Sequence, residues 1–214
     1  MASPFIAPLL ESFACQLIGF TISTTIYGIT VLQTYFYFRT YPNDKSYIKL
    51  TVGSLWILDT LGTILVAHSL YTYFVLNFTD PLKDANLVWS FSLENGVTTL
   101  ITFVVQCYFA ECLWRFSHGN RILVGSIAML ALTSFGLGIE TTAHLFIVKS
   151  ILSLASNEVL IIGGLVQGFA ALCDVLITGG LCYYLHNGRS GLTSTDSLVD
   201  KLMVFAINRG AFTT

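Results

Sequence analysis

The feature that most constrains the fold is an apolar stretch at residues 50–77, LTVGSLWILDTLGTILVAHSLYTYFVLN. As an α-helix it is roughly 40 Å long, which is enough to cross a bilayer with some tilt. Asp59 lies about 15 Å along this helix, near the membrane midplane. A charged carboxylate facing lipid there costs at least about 2.5 kcal/mol, so we expect Asp59 to face other helices or water. The stretch therefore predicts a membrane span that packs against further helices.

The composition extends this prediction to the whole chain. Hydrophobic residues make up 54% of the 214 residues and charged residues 10%, whereas about 25% of a soluble domain is charged. The 10 Lys and Arg against 12 Asp and Glu give a net charge of -2. This balance excludes a strongly basic surface, so we expect no nucleic-acid partner. The chain is predicted to be an integral membrane protein surrounded by lipid, and no oligomeric state follows from its sequence.

Six apolar stretches read as spans within a single transmembrane domain over residues 1–214. They cover about residues 13–38, 50–77, 87–114, 122–148 and 159–185, with a partial span at 197–214. The last stretch contains Asp200, Lys201 and Arg209. It fits either a span cut short or an amphipathic helix on the membrane surface, and we favour the span. The fold class is thus all-α, a polytopic transmembrane helical bundle.

The distribution of Lys and Arg over the loops predicts the orientation. The loops that follow the first, third and fifth spans are the more basic, with Arg39, Lys45 and Lys49, then Arg115 and Arg121, then Arg189. The two intervening loops carry one lysine each, Lys83 and Lys149. Basic short loops remain on the cytoplasmic side. We therefore expect the N-terminus outside the cell or in a lumen, in the plasma membrane or an endomembrane.

Three sets of residues carry a resemblance to a known family. They are Leu32-Gln33-Thr34-Tyr35 with Tyr41-Pro42, Leu58-Asp59-Thr60 with His68, and Thr195-Asp196-Ser197 with Asn208. Over nearly its whole length the chain resembles a family of fungal membrane proteins of unknown function that is expanded in mushroom-forming fungi. The resemblance implies seven spans, with the N-terminus outside and the C-terminus inside. Members continue past the segment that matches residues 211–214, so we expect this sequence to lack the last span.

Polar residues in the outer halves of four spans predict a binding cavity. They are His68 in the second span, Glu94 in the third, Glu140 and His144 in the fourth, and Gln167 in the fifth. Their similar depth predicts an outward-facing polar cavity that binds a small molecule. Glu140 and His144 are four residues apart, so they share a helix face. The simpler alternative is that polar side chains such as Gln167 only join neighbouring helices.

Two acids form a deeper layer near the midplane, Asp59 in the second span and Asp174 in the fifth. Gln167 and Asp174 are seven residues apart and therefore lie on one helix face. Intramembrane acids often mark proton or ion pathways. Gln33 and Gln106 also fall within spans, and we interpret them as contacts between helices.

These residues support three functional hypotheses. The first is a receptor-like or sensory protein that binds a small molecule in the outer cavity. The second is an integral-membrane enzyme that acts on a lipid or terpenoid, with Asp59 or Glu140 as the acid. The third is a transporter or proton path through Asp59 and Asp174. The sequence has four histidines and no His-x-x-x-His pattern, so we expect no metal site and no cofactor.

Overall fold

A computed structural model describes residues 6–76, 87–117, 119–148 and 156–187. This part of the chain is all-helical, with α1 at Ile6–Thr40, α2 at Ser46–Tyr71, α3 at Trp89–Phe116, α4 at Arg121–Val148 and α5 at Asn157–Asn187. A π-helical turn, Thr72–Leu76, continues α2. All five helices contain a segment long and apolar enough to cross a membrane. The all-helical prediction is confirmed, and the predicted stretch at 197–214 lies outside the described residues.

The turn between α1 and α2 follows from its sequence. The Tyr41 N–H still donates to the Tyr37 carbonyl oxygen at 2.9 Å, but Pro42 disfavours a helical conformation for the residue before it. The Tyr37 hydroxyl donates to Asp44 Oδ2 at 3.1 Å. The Lys49 ammonium donates to the Pro42 carbonyl oxygen. Side chains from both helices therefore hold this turn.

The turn between α3 and α4 depends on a glycine and an asparagine. Gly119 has a φ of 83°, in the left-handed region where a Cβ is unfavourable, and its N–H donates to the Trp114 carbonyl oxygen at 3.2 Å. Asn120 Oδ1 accepts the Leu123 N–H at 3.3 Å, the contact expected of a helix N-cap. These two residues end one helix and begin the next.

The chain forms two compact units. The N-terminal unit comprises, among the described residues, 6–76, 87–101 and 145–148. Here α1 and α2 run antiparallel, with Tyr27 beside Thr60. The start of α3 runs antiparallel to α2, with Ser90 beside His68. α2 thus contacts α1 on one side and α3 on another.

The C-terminal unit comprises the described residues within 102–144 and 156–187. In it α3 and α5 run parallel, and α4 runs antiparallel to both. Its core is one cluster of buried side chains from the three helices, Phe109, Leu113, Ile127, Ala131, Cys173, Ile177 and Leu181. Asn120 Nδ2 donates to the Tyr184 hydroxyl at 2.9 Å and so ties the turn before α4 to α5.

Candidate functional site

The polar contact between α2 and α3 is centred on His68. His68 Nδ1 lies 2.9 Å from Ser90 Oγ, and the imidazole tautomer decides which atom donates. Ser90 is fully buried, whereas His68 is exposed. The His68 ring also packs beside the Trp89 indole, with 5.3 Å between ring centroids. One ring nitrogen of His68 is therefore held by the protein, although the residue as a whole is exposed.

Glu94 continues this polar surface along α3. Ser90, Glu94 and Thr98 are each four residues apart, so they lie on one face of the helix. The Thr98 hydroxyl donates to Glu94 Oε1 at 2.9 Å, and Glu94 is half-buried. We call His68, Trp89, Ser90, Glu94 and Thr98 the α2–α3 polar cluster. Two of its members, His68 and Glu94, are residues that the sequence predicts for the ligand site.

A second contact fixes the start of α3 against α2. The Val88 N–H donates to the Tyr73 hydroxyl at 3.0 Å. Tyr73 is 8% exposed and lies in the π-helical turn that follows α2. This bond precedes Trp89 and Ser90 by one or two residues. The bond therefore helps to hold Trp89 and Ser90 opposite His68.

Asp59 lies elsewhere on α2, half-buried. The next residue, Thr60, donates its hydroxyl hydrogen to the Trp56 carbonyl oxygen at 2.7 Å. Thr60 Oγ1 is also 2.8 Å from the Tyr27 hydroxyl, so Tyr27 must be the donor of that bond. Tyr27 and Thr60 thus join α1 to α2 beside Asp59. The role of Asp59 as a functional intramembrane acid stays a prediction.

Asp174 forms the buried polar contact of the C-terminal unit. Gln106 Nε2 donates to Asp174 Oδ1 at 3.3 Å and to the Ala170 carbonyl oxygen at 3.4 Å. Gln106 is 1% exposed and Asp174 is 8% exposed. The neighbouring Cys173 and Ile177 belong to the apolar core. A side-chain amide from α3 therefore meets a carboxyl group from α5 inside the helix bundle.

The sequence predicts Asp174 as an intramembrane acid but gives no indication that Gln106 is its partner. The two residues are 68 positions apart, and any glutamine within a span fits a contact between helices equally well. The sequence likewise gives no indication that Ser90 is the partner of His68. Ser90 is a small polar residue in the first turn of α3, and such residues are common at the start of any helix.

The remaining predicted site residues belong to the C-terminal unit. Glu140 is exposed and His144 is half-buried, both near the end of α4, and Gln167 is exposed on α5. The structure groups His68 with Glu94 in the N-terminal unit. That both sets of residues line one cavity stays a prediction. Among the described residues, no three His, Cys, Asp or Glu side chains are grouped as metal ligands.

The five long apolar helices define a multi-pass helical membrane protein. Residues 170–214 of the chain match the sequence profile of a family of unknown function, DUF6534. This match covers the C-terminal part of the chain. No curated protein and no solved structure shows significant similarity to the sequence.

Proposed function

We propose that this protein is a receptor-like membrane protein that binds a small molecule at the α2–α3 polar cluster. The observation that supports the proposal is the pairing of His68 with Ser90 one turn away from Glu94. Nδ1 of His68 is occupied by Ser90, so Nε2 is the ring nitrogen available to a ligand. A histidine and a carboxylate within the outer part of a span are costly to place there without a function.

The chemistry of the cluster favours a small organic amine as the ligand. Glu94 offers a carboxylate, and the hydroxyl of Thr98 orients it by donating to Oε1 at 2.9 Å. Trp89 beside His68 offers an aromatic face, which attracts a cation. His68 Nε2 offers a hydrogen bond to a second polar group of the ligand. Together these groups suit a positively charged head with a polar substituent.

Tryptophan fluorescence can test this proposal directly. The chain has three tryptophans, so a variant with Trp56→Phe and Trp114→Phe reports on Trp89 alone. In nanodiscs, titration with ethanolamine, choline and tyramine should change Trp89 emission in a saturable way for at least one of them. Glu94→Gln removes the charged acceptor and should weaken binding of that amine by about tenfold or more.

The matched control is Glu111→Gln, at the other end of α3. Glu111 is exposed and already ion-paired with Arg115, so its loss should leave amine binding unchanged. The proposal is wrong if none of the three amines alters Trp89 emission. It is equally wrong if Glu94→Gln binds them as tightly as the parent protein.

We retain Glu140, His144 and Gln167 as a second predicted ligand-binding group, to be tested by itself. Glu140→Ala with His144→Ala should lower amine binding measured by calorimetry if these residues contact the ligand. Gly136→Ala is the matched control on α4, because an added Cβ there meets no atom within 4 Å. Unchanged binding by the double variant would remove this group from the proposal.

We further propose the seven-span topology of the fungal family that the chain resembles, with the N-terminus outside. The turn between α1 and α2 carries Arg39, Lys45 and Lys49. It supports this orientation, because basic short loops stay on the cytoplasmic side. An epitope tag at the N-terminus should be accessible to antibody in intact cells. A tag inserted after Asn43 should be accessible only after permeabilisation, and the reverse pattern would refute the orientation.

A second candidate function is a proton path through Asp59 and Asp174. The buried contact between Gln106 and Asp174 favours it, because a carboxyl group inside an apolar bundle is costly to maintain. Asp174→Asn keeps the side-chain size and removes the ionisable group. In liposomes the parent protein should carry a proton flux under a pH gradient, and Asp174→Asn should abolish it. A parent protein without flux excludes this function.

A further inference from the structure

The turn between α1 and α2 concentrates positive charge at one end of two spans. We call residues 39–49 the basic turn. It carries Arg39, Lys45 and Lys49 against a single acid, Asp44. Arg39 and Lys45 are exposed. Lys49 folds back over the turn, where its ammonium donates to the Pro42 carbonyl oxygen.

No described carboxylate neutralises these three cations. Asp44 instead accepts the Tyr37 hydroxyl at 3.1 Å, and no described residue forms an ion pair with Arg39, Lys45 or Lys49. The last turn of α3 differs. There Arg115 is ion-paired with Glu111, four residues earlier, at 2.5 Å. The basic turn therefore keeps an excess of positive charge, whereas the charge of Arg115 is compensated by Glu111.

Aromatic side chains surround the same charges. Tyr35, Tyr41 and Tyr47 are 57%, 51% and 39% exposed. Arg39 Nη1 lies 3.5 Å from the Tyr35 hydroxyl, so guanidinium and phenol are close neighbours. Tyrosines of this kind prefer the headgroup level of a membrane, where one end is apolar and the other is wet. They indicate that the cations lie at the depth of the lipid phosphates.

We propose that the basic turn is a binding site for the phosphate groups of anionic phospholipids. The cations supply the attraction, and the exposed tyrosines fix the turn at the headgroup level. A juxtamembrane Lys or Arg contributes about fivefold to binding at an anionic membrane surface. A phospholipid is favoured over a soluble phosphate because the turn joins two spans and is bounded by interfacial aromatic rings. This site is separate from the α2–α3 polar cluster and does not depend on amine binding.

The experiment compares how much phosphatidylserine and how much phosphatidylcholine the full 214-residue chain retains. In nanodiscs that contain both lipids, native mass spectrometry after release from the disc gives the ratio of the two retained. The parent protein should retain phosphatidylserine preferentially. Arg39→Gln with Lys45→Gln should reduce this selectivity by about 25-fold, since two cations are lost. Lys49→Gln should reduce it by about fivefold.

Two controls make the result decisive. Arg115→Gln removes a cation that is already paired, so it should leave the selectivity unchanged. Arg39→Lys with Lys45→Arg keeps both charges and should also leave it unchanged, whether or not it alters the stability of the turn. The proposal is overturned if the double glutamine variant keeps the parental selectivity, if Arg115→Gln loses as much, or if the charge-preserving variant loses it. Full displacement of phosphatidylserine by glycerol phosphate would overturn it in favour of a soluble phosphate.

Discussion

Helix α1 and the C-terminal unit bury their side chains to very different extents. In the N-terminal unit, no described side chain of α1 is buried. Its threonines Thr21, Thr24 and Thr25 donate their hydroxyl hydrogens to carbonyl oxygens of their own helix. In the C-terminal unit, seven buried side chains from three helices form one cluster, and Gln106 bonds to Asp174 beside it. These threonines of α1 thus satisfy their hydroxyls within their own helix, whereas the buried amide of Gln106 bonds to a different helix.

This difference shows what holds membrane helices together. Lipid tails are as apolar as leucine, so burial of apolar surface does not drive helices to associate. Close packing and hydrogen bonds between helices must supply the stability. The C-terminal unit has both, in the contact of Gly180 with Leu113 and in the Gln106–Asp174 pair. The contact of α1 with α2 has the bond from Tyr27 to Thr60. We therefore expect substitutions in the C-terminal unit to lower the free energy of unfolding more than substitutions in the contact of α1 with α2.

The largest effect is expected at Gly180. A Cβ added at this position would lie 3.0 Å from Leu113 Cδ2 and 3.2 Å from Leu123 Cδ2. Gly180→Leu would force a branched side chain into this contact between α5 and its two neighbours. We expect it to lower the free energy of unfolding by about 3 kcal/mol, the upper end of the cost of overpacking. Reversible unfolding in mixed micelles, followed by circular dichroism, measures the change.

The preceding residue provides the control. A Cβ at Gly179 meets no atom within 4 Å, so Gly179→Leu adds the same side chain to the same turn of α5 without overpacking. We expect its effect to be small. Equal losses of unfolding free energy at the two positions would mean that the close approach of Leu113 to Gly180 does not stabilise the C-terminal unit.

The next largest effect concerns the buried pair. Gln106→Leu and Asp174→Leu each remove the hydrogen bond between the buried amide and the buried carboxyl group, at an expected cost of about 1.5 kcal/mol. The double variant removes both polar groups, so it should cost less than the sum of the single variants. The same unfolding assay gives the coupling energy of the pair, which we expect to be about 1 kcal/mol. Strict additivity would show that the two residues stabilise the bundle independently.

The helices themselves were predictable from sequence for a simple physical reason. A span must satisfy its backbone within the helix and present apolar side chains to lipid, so hydropathy alone locates it. Four of the five described helices begin before the predicted stretches, because backbone pairing continues into polar residues. α2, for example, begins at Ser46 rather than residue 50. The ion pair of Glu111 with Arg115 could also be predicted from sequence, because the two residues lie four positions apart on one helix.

The candidate sites were predictable only as separate residues. His68, Glu94 and Asp174 stand out in sequence because polar groups are rare in spans. Their partners Ser90 and Gln106 do not, because contacts between helices depend on the rotation of each helix. Hydropathy carries no information on that rotation. The same limit explains why the partnership of Tyr27 with Thr60 appears only in the structure.

The smallest effect is expected at Tyr27, and it tests the other side of the comparison. Tyr27→Phe keeps the ring and removes the hydroxyl that donates to Thr60 Oγ1 at 2.8 Å. Thr60 keeps its own bond to the Trp56 carbonyl oxygen, so no buried donor loses its acceptor. We expect a loss of about 0.6 kcal/mol, the average for a hydrogen bond between membrane helices. Tyr71→Phe is the control, since Tyr71 is 55% exposed on α2, the other helix of this contact. A loss at Tyr27 as large as that at Gln106 would mean that one hydroxyl pair holds α1 as firmly as the buried pair holds α3 to α5.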